Sequence, residues 1–210
     1  ASFEGEGYSS IQACQKTYNG VSIISNIKPK DIELNPVNIS PDEVRSISAT
    51  YDKVRVINFY VVNGQSIGSE KYEHKLKWLD KARIYIDQQL KIHKNLILVG
   101  DFNIVPNESD AHDFSAEDIL CSDKERMALN SLVDLGLNDC FQGEEGFSPY
   151  TWWDYRAGAF HRDVGYRIDL LLASNGLFKK VKSYSVHRET RHKSWCPDQP
   201  KTSDHAPVMV

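Results

Sequence analysis

With 210 residues the chain can build one sizeable core but at most two small domains. Its 40% hydrophobic and 26% charged residues fit a globular protein rather than a disordered one, and a net charge of −4 excludes a global basic field, so any nucleic-acid surface has to be local. No apolar stretch approaches the length of a membrane span, no signal-peptide pattern opens the chain, and Cys14, Cys121, Cys140 and Cys196 lack C-x-x-C spacing. These features predict a cytoplasmic protein with free thiols and no membrane partner.

A single domain over residues 1–210 is expected. Ala1 is not an initiator methionine, and Val210 stops inside what reads as a strand from Ala206. A longer protein missing both ends is therefore the expectation.

In chain order, Tyr18-Asn19-Gly20 predicts a hairpin turn between extended stretches at Ser10–Cys14 and Val21–Ser25. Residues 28–43, rich in Pro, Asn and Asp, read as a surface loop. A second hairpin is expected between Arg45–Ala49 and Val54–Val62, with Tyr60 and Asn63 at its carboxyl end. Glu70 to Leu90 has the spacing of an amphipathic helix, with Tyr72, Leu76, Leu79, Arg83, Ile86 and Leu90 on one face. The apolar run Leu96–Val99 reads as a strand buried on both faces. A capping box, Ser122-x-x-Glu125, announces a second helix through Met127, Leu129, Leu132 and Val133 to a stop at Gly136. Both helices are expected to be scaffold. The strand–helix–strand order predicts an α/β sheet.

Candidate chemistry gathers at strand ends. Leu96–Gly100 delivers Asp101 and Asn103 at the edge where α/β sheets bind ligands. Asp101 supplies a hard anionic oxygen, and Asn103 a neutral amide that can orient water or phosphate. Asp/Asn pairs also make plain turns, so a second signal is needed; Ser203-Asp204-His205, before another apolar stretch, provides it. Between them, Asp169 interrupts the apolar strand Ile168–Ala173, and a buried carboxylate requires a partner such as an imidazole or a metal. Val181–His187 is expected to be a further strand. Trp152 and Trp153, adjacent in an extended segment, must point to opposite faces, one to the core and one to a ligand. The constellation Asp101, Asn103, Asp169, Asp204 and His205, with Tyr60 and Asn63 nearby, selects Mg²⁺ or Mn²⁺ over zinc and suits phosphodiester hydrolysis.

GDFN at 100–103, YTWWDYR at 150–156, GYRIDLLLAS at 165–174 and KTSDHAPV at 201–208 together resemble the exonuclease III branch of apurinic/apyrimidinic endonucleases, within the endonuclease/exonuclease/phosphatase superfamily. The resemblance implies a four-layer α/β sandwich of two packed mixed sheets. It also implies an Mg²⁺-dependent DNA-repair phosphodiesterase that cuts 5′ to abasic sites and processes blocked 3′ ends in double-stranded DNA, acting as a monomer. By the same resemblance, Asp101 aligns or activates the attacking water and Asn103 positions it. His205, paired with Asp169, holds the scissile phosphate as base or electrostatic stabiliser. Asp204 lies near the metal, and Tyr60 and Asn63 contact the phosphate and leaving oxygen. Trp152 lines the pocket for the flipped sugar, Tyr166 presses into the duplex, and Arg45 and Arg156 contact phosphates. One departure is large: the family's Asn on an opening strand and the metal-binding Glu of its L-Q-E-x-K motif are absent from this sequence, and Glu4, Glu6 and Glu33 lie in loop-like contexts. The alternative expectation is therefore a crippled fragment that only binds damaged DNA or a partner, with a lipid or inositol phosphodiesterase as a third.

Overall fold

The computed structural model describes residues 3–143, 149–198 and 201–210; Ala1 lies outside the described residues. The described residues form ten strands: β1 (Ser9–Cys14), β2 (Gly20–Ser25), β3 (Lys30–Leu34), β4 (Ser46–Tyr51), β5 (Val54–Tyr60), β6 (Leu96–Asp101), β7 (Leu137–Asp139), β8 (Asp169–Ser174), β9 (Ser185–Val186) and β10 (Val208–Met209). Six of them form a mixed sheet in the order β3-β4-β5-β6-β8-β7, parallel only between β5 and β6. Two antiparallel ribbons, β1–β2 and β9–β10, stand apart from it. The fold is α/β around this central sheet.

Pleating sorts the sheet's side chains. Ile57, Phe59, Leu96, Leu98, Leu170 and Leu172 share one face and are at most 1% exposed, packed under helix α1 (Glu70–Ile92) and, through Leu129 and Leu132, helix α2 (Asp123–Val133). The other face carries Tyr60, Asp101 and Asp169, and the β1–β2 ribbon covers it over β4 and β5, through Ala13, Val21 and Ile47 and the Asn58 side-chain amide donating to the Ser22 carbonyl. Ile97 and Val99 on that face are half-buried, so β6 is fully buried on one side rather than on both. A groove of about 700 Å³ runs over Val99 and Leu171 to His205 and Pro207.

Local sequence explains most elements. The Ser69 hydroxyl caps α1 by accepting from the Tyr72 amide, and the Ser122/Glu125 capping box opens α2. Gly100 has φ +134°, and a Cβ there would sit 1.9 Å from the Phe59 carbonyl oxygen, so only glycine allows this approach of β5 and β6.

Several expectations are corrected. The 28–43 segment contains β3, an exposed edge strand whose register shifts between Lys30 and Glu33; flanking prolines and Asp31 at φ +48° disguise it as loop. The first hairpin turns over residues 15–19, closed by the Gln15 amide donating to the Asn19 carbonyl, and Gly20 already belongs to β2. On α1 the buried stripe is rotated: Arg83 is exposed, while Tyr72, Lys75, Trp78, Leu79, Ala82 and Ile86 face inward. Met127 on α2 is 70% exposed. Residues 150–156 form no regular strand; Trp152 makes single bridges to Tyr166 and His205. The expected Val181–His187 strand shrinks to β9, and Asp139 ends a strand, β7, that sequence reading missed. All four cysteines are free, and burial pushes the Cys121 and Cys140 thiols up to about 11.

Candidate active site

Register assembles the centre. Tyr60 pairs with Asp101 across the parallel β5–β6 ladder, and Asp101 pairs with Asp169 across the antiparallel β6–β8 ladder, so three side chains stand abreast on one face at the ends of three strands. The 203–206 segment reaches them from the far end of the chain. Trp153 N–H donates to the Asp204 carbonyl (3.1 Å) and Ala206 N–H to the Thr151 carbonyl (2.8 Å), which docks His205 beside the sheet. Thr151 Oγ1 in turn accepts from the amides of Ile168 and Asp169, both at 3.1 Å, fixing the start of β8. His205 Nδ1 lies 2.8 Å from Asp169 Oδ2, with the two side chains 31% and 21% exposed.

Asp101 is held by its neighbour. Oδ1 accepts from the Asn103 amide at 2.8 Å and Oδ2 from Asn103 Nδ2 at 2.9 Å. That wrap requires Asn103 at φ +50°, a left-handed conformation that asparagine tolerates better than most residues. Asn63 Nδ2 donates to Asn103 Oδ1 at 3.0 Å, tying together the turns that follow β5 and β6. Arg45 lays its guanidinium 4.9 Å from the Tyr60 ring centre and donates through Nη1 to the Tyr60 carbonyl. On the other flank, Trp152 and Tyr166 stack at 5.8 Å and 5°, and Trp152 Nε1 donates to Asp204 Oδ2 at 3.1 Å. Tyr166 is thus half-buried on Trp152 and packs with the Val105–Ala111–Leu120 cluster. Arg156 is 91% exposed, beside Asp154.

The electrostatics follow from this crowding. Burial and the facing Asp169 carboxylate push Asp101 up to about 7, against the pull of His205 and of the Asn103 amide. Burial opposes charge on His205, but the hydrogen bond and charge of Asp169, with Asp101 and Asp204 behind them, outweigh it and raise His205 to about 9. At neutral pH the imidazole is cationic.

The sequence-derived residues Tyr60, Asn63, Asp101, Asn103, Asp169, Asp204, His205, Trp152, Tyr166 and Arg45 come together, whereas Arg156 stands out in solvent. Sequence reading missed Thr151 and Lys75. Lys75 carries a signal in hindsight, falling three residues after Tyr72 and four before Leu79 on the buried stripe.

Mg²⁺ keeps several waters and takes one or two carboxylates plus substrate phosphate. Asp101 and Asp204 offer such oxygens, and the mutual repulsion of Asp101 and Asp169 would be relieved by a cation. Among the described residues, however, no group of three or more His, Cys, Asp or Glu is arranged to hold a metal ion. The donor set fits a largely hydrated Mg²⁺ or Mn²⁺, not a cation caged by protein. Glu33 is engaged with Arg55, and Glu4 and Glu6 sit in an exposed turn, so none of the three serves the site.

The family model described as Endonuclease/Exonuclease/phosphatase family matches residues 4–205. The chain belongs to this family. Within it, the chain is similar to an exodeoxyribonuclease of Bacillus subtilis (strain 168), 30% identical over 192 residues, covering 88% of this chain and 75% of the relative. Among solved structures it is similar to a 3′ phosphatase from Neisseria bound to a product DNA hairpin, 37% identical with a TM-score of 0.89, covering 99% of this chain and 80% of that one. An AP endonuclease from Archaeoglobus fulgidus gives 31% identity and a TM-score of 0.87 over 98% of this chain and 79% of that one. Family membership accounts for the central mixed sheet and its helices. No helix among the described residues is long and apolar enough to cross a membrane.

Proposed function

We propose that this chain is a DNA-repair phosphodiesterase that hydrolyses duplex DNA 5′ to abasic sites and processes blocked 3′ ends, with Mg²⁺ as cofactor and Mn²⁺ as a substitute. One observation carries the reading: Tyr60, Asp101 and Asp169 abreast across three strands, with His205 on Asp169. It is supported by relatives described as an exodeoxyribonuclease, a DNA-bound 3′ phosphatase and an AP endonuclease. A monomer in the cytoplasm is part of the same reading.

Phosphodiester hydrolysis needs an aligned water, a held phosphate and charge at the leaving oxygen. Asp101, clamped by both donors of Asn103 and with its pKa raised to about 7, is poised to align water and accept its proton. Cationic His205 uses Nδ1 on Asp169, which leaves Nε2 as the donor to a phosphate oxygen; its pKa of about 9 favours the stabiliser role over the base. Asn63 and Tyr60, on the flank of Arg45, contact the phosphate and leaving oxygen. Asp101 and Asp204 would hold the divalent ion, which when bound supplies positive charge to the phosphate. The Trp152–Tyr166 stack forms an apolar floor for an extruded abasic sugar, whose extrusion breaks no base pair. Arg156 reaches a flanking phosphate from the rim.

The test incubates the 210-residue chain with a duplex carrying one abasic-site analogue, and separately with a 3′-phosphorylated nick, with and without Mg²⁺. A Mg²⁺-dependent cut 5′ to the lesion, or release of the 3′ phosphate, supports the reading. Neither product at any metal concentration would sink it.

A further inference from the structure

Lys75 is 0% exposed and its partner Glu125 is also 0% exposed. The ammonium group spends all three hydrogens: one on Glu125 Oε1, one on the Asn103 carbonyl at 2.6 Å and one on the Asn63 carbonyl at 3.3 Å. Glu125 is itself held, its Oε2 accepting from the amide and hydroxyl of Ser122, while Tyr72 OH lies 2.7 Å from the Ser122 hydroxyl. The chain of contacts therefore runs from the start of α2, through α1, to the undersides of the two turns that leave β5 and β6. On the upper side of those turns the Asn63 and Asn103 amides join and Asn103 grips Asp101.

A buried ion pair is weak evidence of a stabilising device, because an apolar pair of similar volume is often as stable. What the apolar pair cannot do is satisfy two buried carbonyls and hold them at one separation. From this we propose that Lys75 is the positioning residue of the phosphodiesterase site: by fastening the Asn103 and Asn63 carbonyls it fixes the left-handed turn that presents Asp101. The inference rests on the proposed nuclease function for its activity readout, but not for its structural one.

The experiment compares wild type, Lys75→Met/Glu125→Met and Lys75→Arg. The double variant removes both charges together, so no lone buried ion remains, but the two turn carbonyls and the Ser122 cap lose their partners, so the chain is expected to fold with a lowered urea midpoint. Its kcat for abasic-site nicking is expected to fall about 100-fold, the cost of a displacement of about 1 Å, with KM little changed. Lys75→Arg, which keeps the charge and a donor for the carbonyls, should recover most of that loss. In parallel, amide hydrogen exchange should quicken at residues 61–65 and 101–105 of the double variant and stay at wild-type rates in β4. Wild-type kcat together with unchanged exchange in the folded double variant would overturn the proposal, as would equal kcat for Lys75→Arg and the double variant. If wild type itself cuts no substrate, the nuclease reading fails and the exchange comparison alone decides the role of Lys75.

Discussion

Arg167 and Asp169 are separated by one residue at the entrance to β8, yet they belong to opposite kinds of ionic cluster. Arg167 is 1% exposed; its Nε and Nη2 meet the Asp110 carboxylate at 2.8 and 2.9 Å, and its Nη1 lies 2.8 Å from Asp139. Its guanidinium also stacks 4.8 Å from the Phe141 ring, and the buried acids drive its pKa further up. Asp169 has one imidazole partner, stays partly open to solvent and faces a second carboxylate. The bidentate pairing with Asp110 and the burial of the guanidinium make the first cluster scaffold. Unfinished neutralisation makes the second a place where an anion or cation can still be taken up.

The comparison breaks most sharply if the two clusters exchange roles under mutation. Arg167→Met strands Asp110 and Asp139 and should cost about 3–5 kcal/mol in urea unfolding, a large fraction of the roughly 5–15 kcal/mol that holds a domain together. His205→Ala should do the reverse. Cleavage of an abasic duplex is expected to fall by about 10³-fold, while the unfolding midpoint moves by no more than a partly exposed pair is worth, roughly 0.2–1 kcal/mol. A His205→Ala enzyme that cuts normally, or an Arg167→Met chain that is fully stable, would erase the distinction.

pH sharpens it further. His205 binds its proton more tightly in the folded chain, at about 9 against an ordinary 6.5, so its stabilisation is complete below 6.5 and fades as pH climbs through about 9. Asp101, raised from 3.8 to about 7, favours the folded state in its neutral form, and that contribution fades as pH rises from about 4 to 7. Activity needs the other form of Asp101, so kcat/KM should rise with pH through a midpoint that a divalent ion on Asp101 sets below the metal-free value of about 7, and decline through about 9. Burial does most to raise Asp101, but Asp169 pushes both values up, so in Asp169→Asn both limbs of the profile should move to lower pH; limbs that stay in place would show that Asp169 does not govern them. The smallest effect is expected at Arg156→Ala. This side chain, 91% exposed, should change cleavage only slightly and mainly at low salt, where an exposed phosphate contact is least screened. A large loss at all salt concentrations would place Arg156 inside the site.

Chemistry and local punctuation were legible in the residues alone. Hairpins around 15–19 and 52–53, the capping box that opens α2, and the Asp-x-Asn and Ser-Asp-His clusters at strand ends all follow from short-range rules, because turn geometry, caps and apolar periodicity act within a few residues. Only the tertiary structure decided register and rotation. Asp169 meets His205 across 36 positions, Asn63 meets Asn103 across 40, and Lys75 meets Glu125 across 50, and no local pattern encodes a partner so far along the chain. The rotation of α1 shows why. Periodicity allowed either Arg83 or Lys75 on the buried stripe, and the choice fell to Lys75 because Glu125 and two turn carbonyls await it inside, while Arg83 reaches water. A buried charge is stable only where its partners are already in place, and partners brought together by packing are visible only in the folded chain.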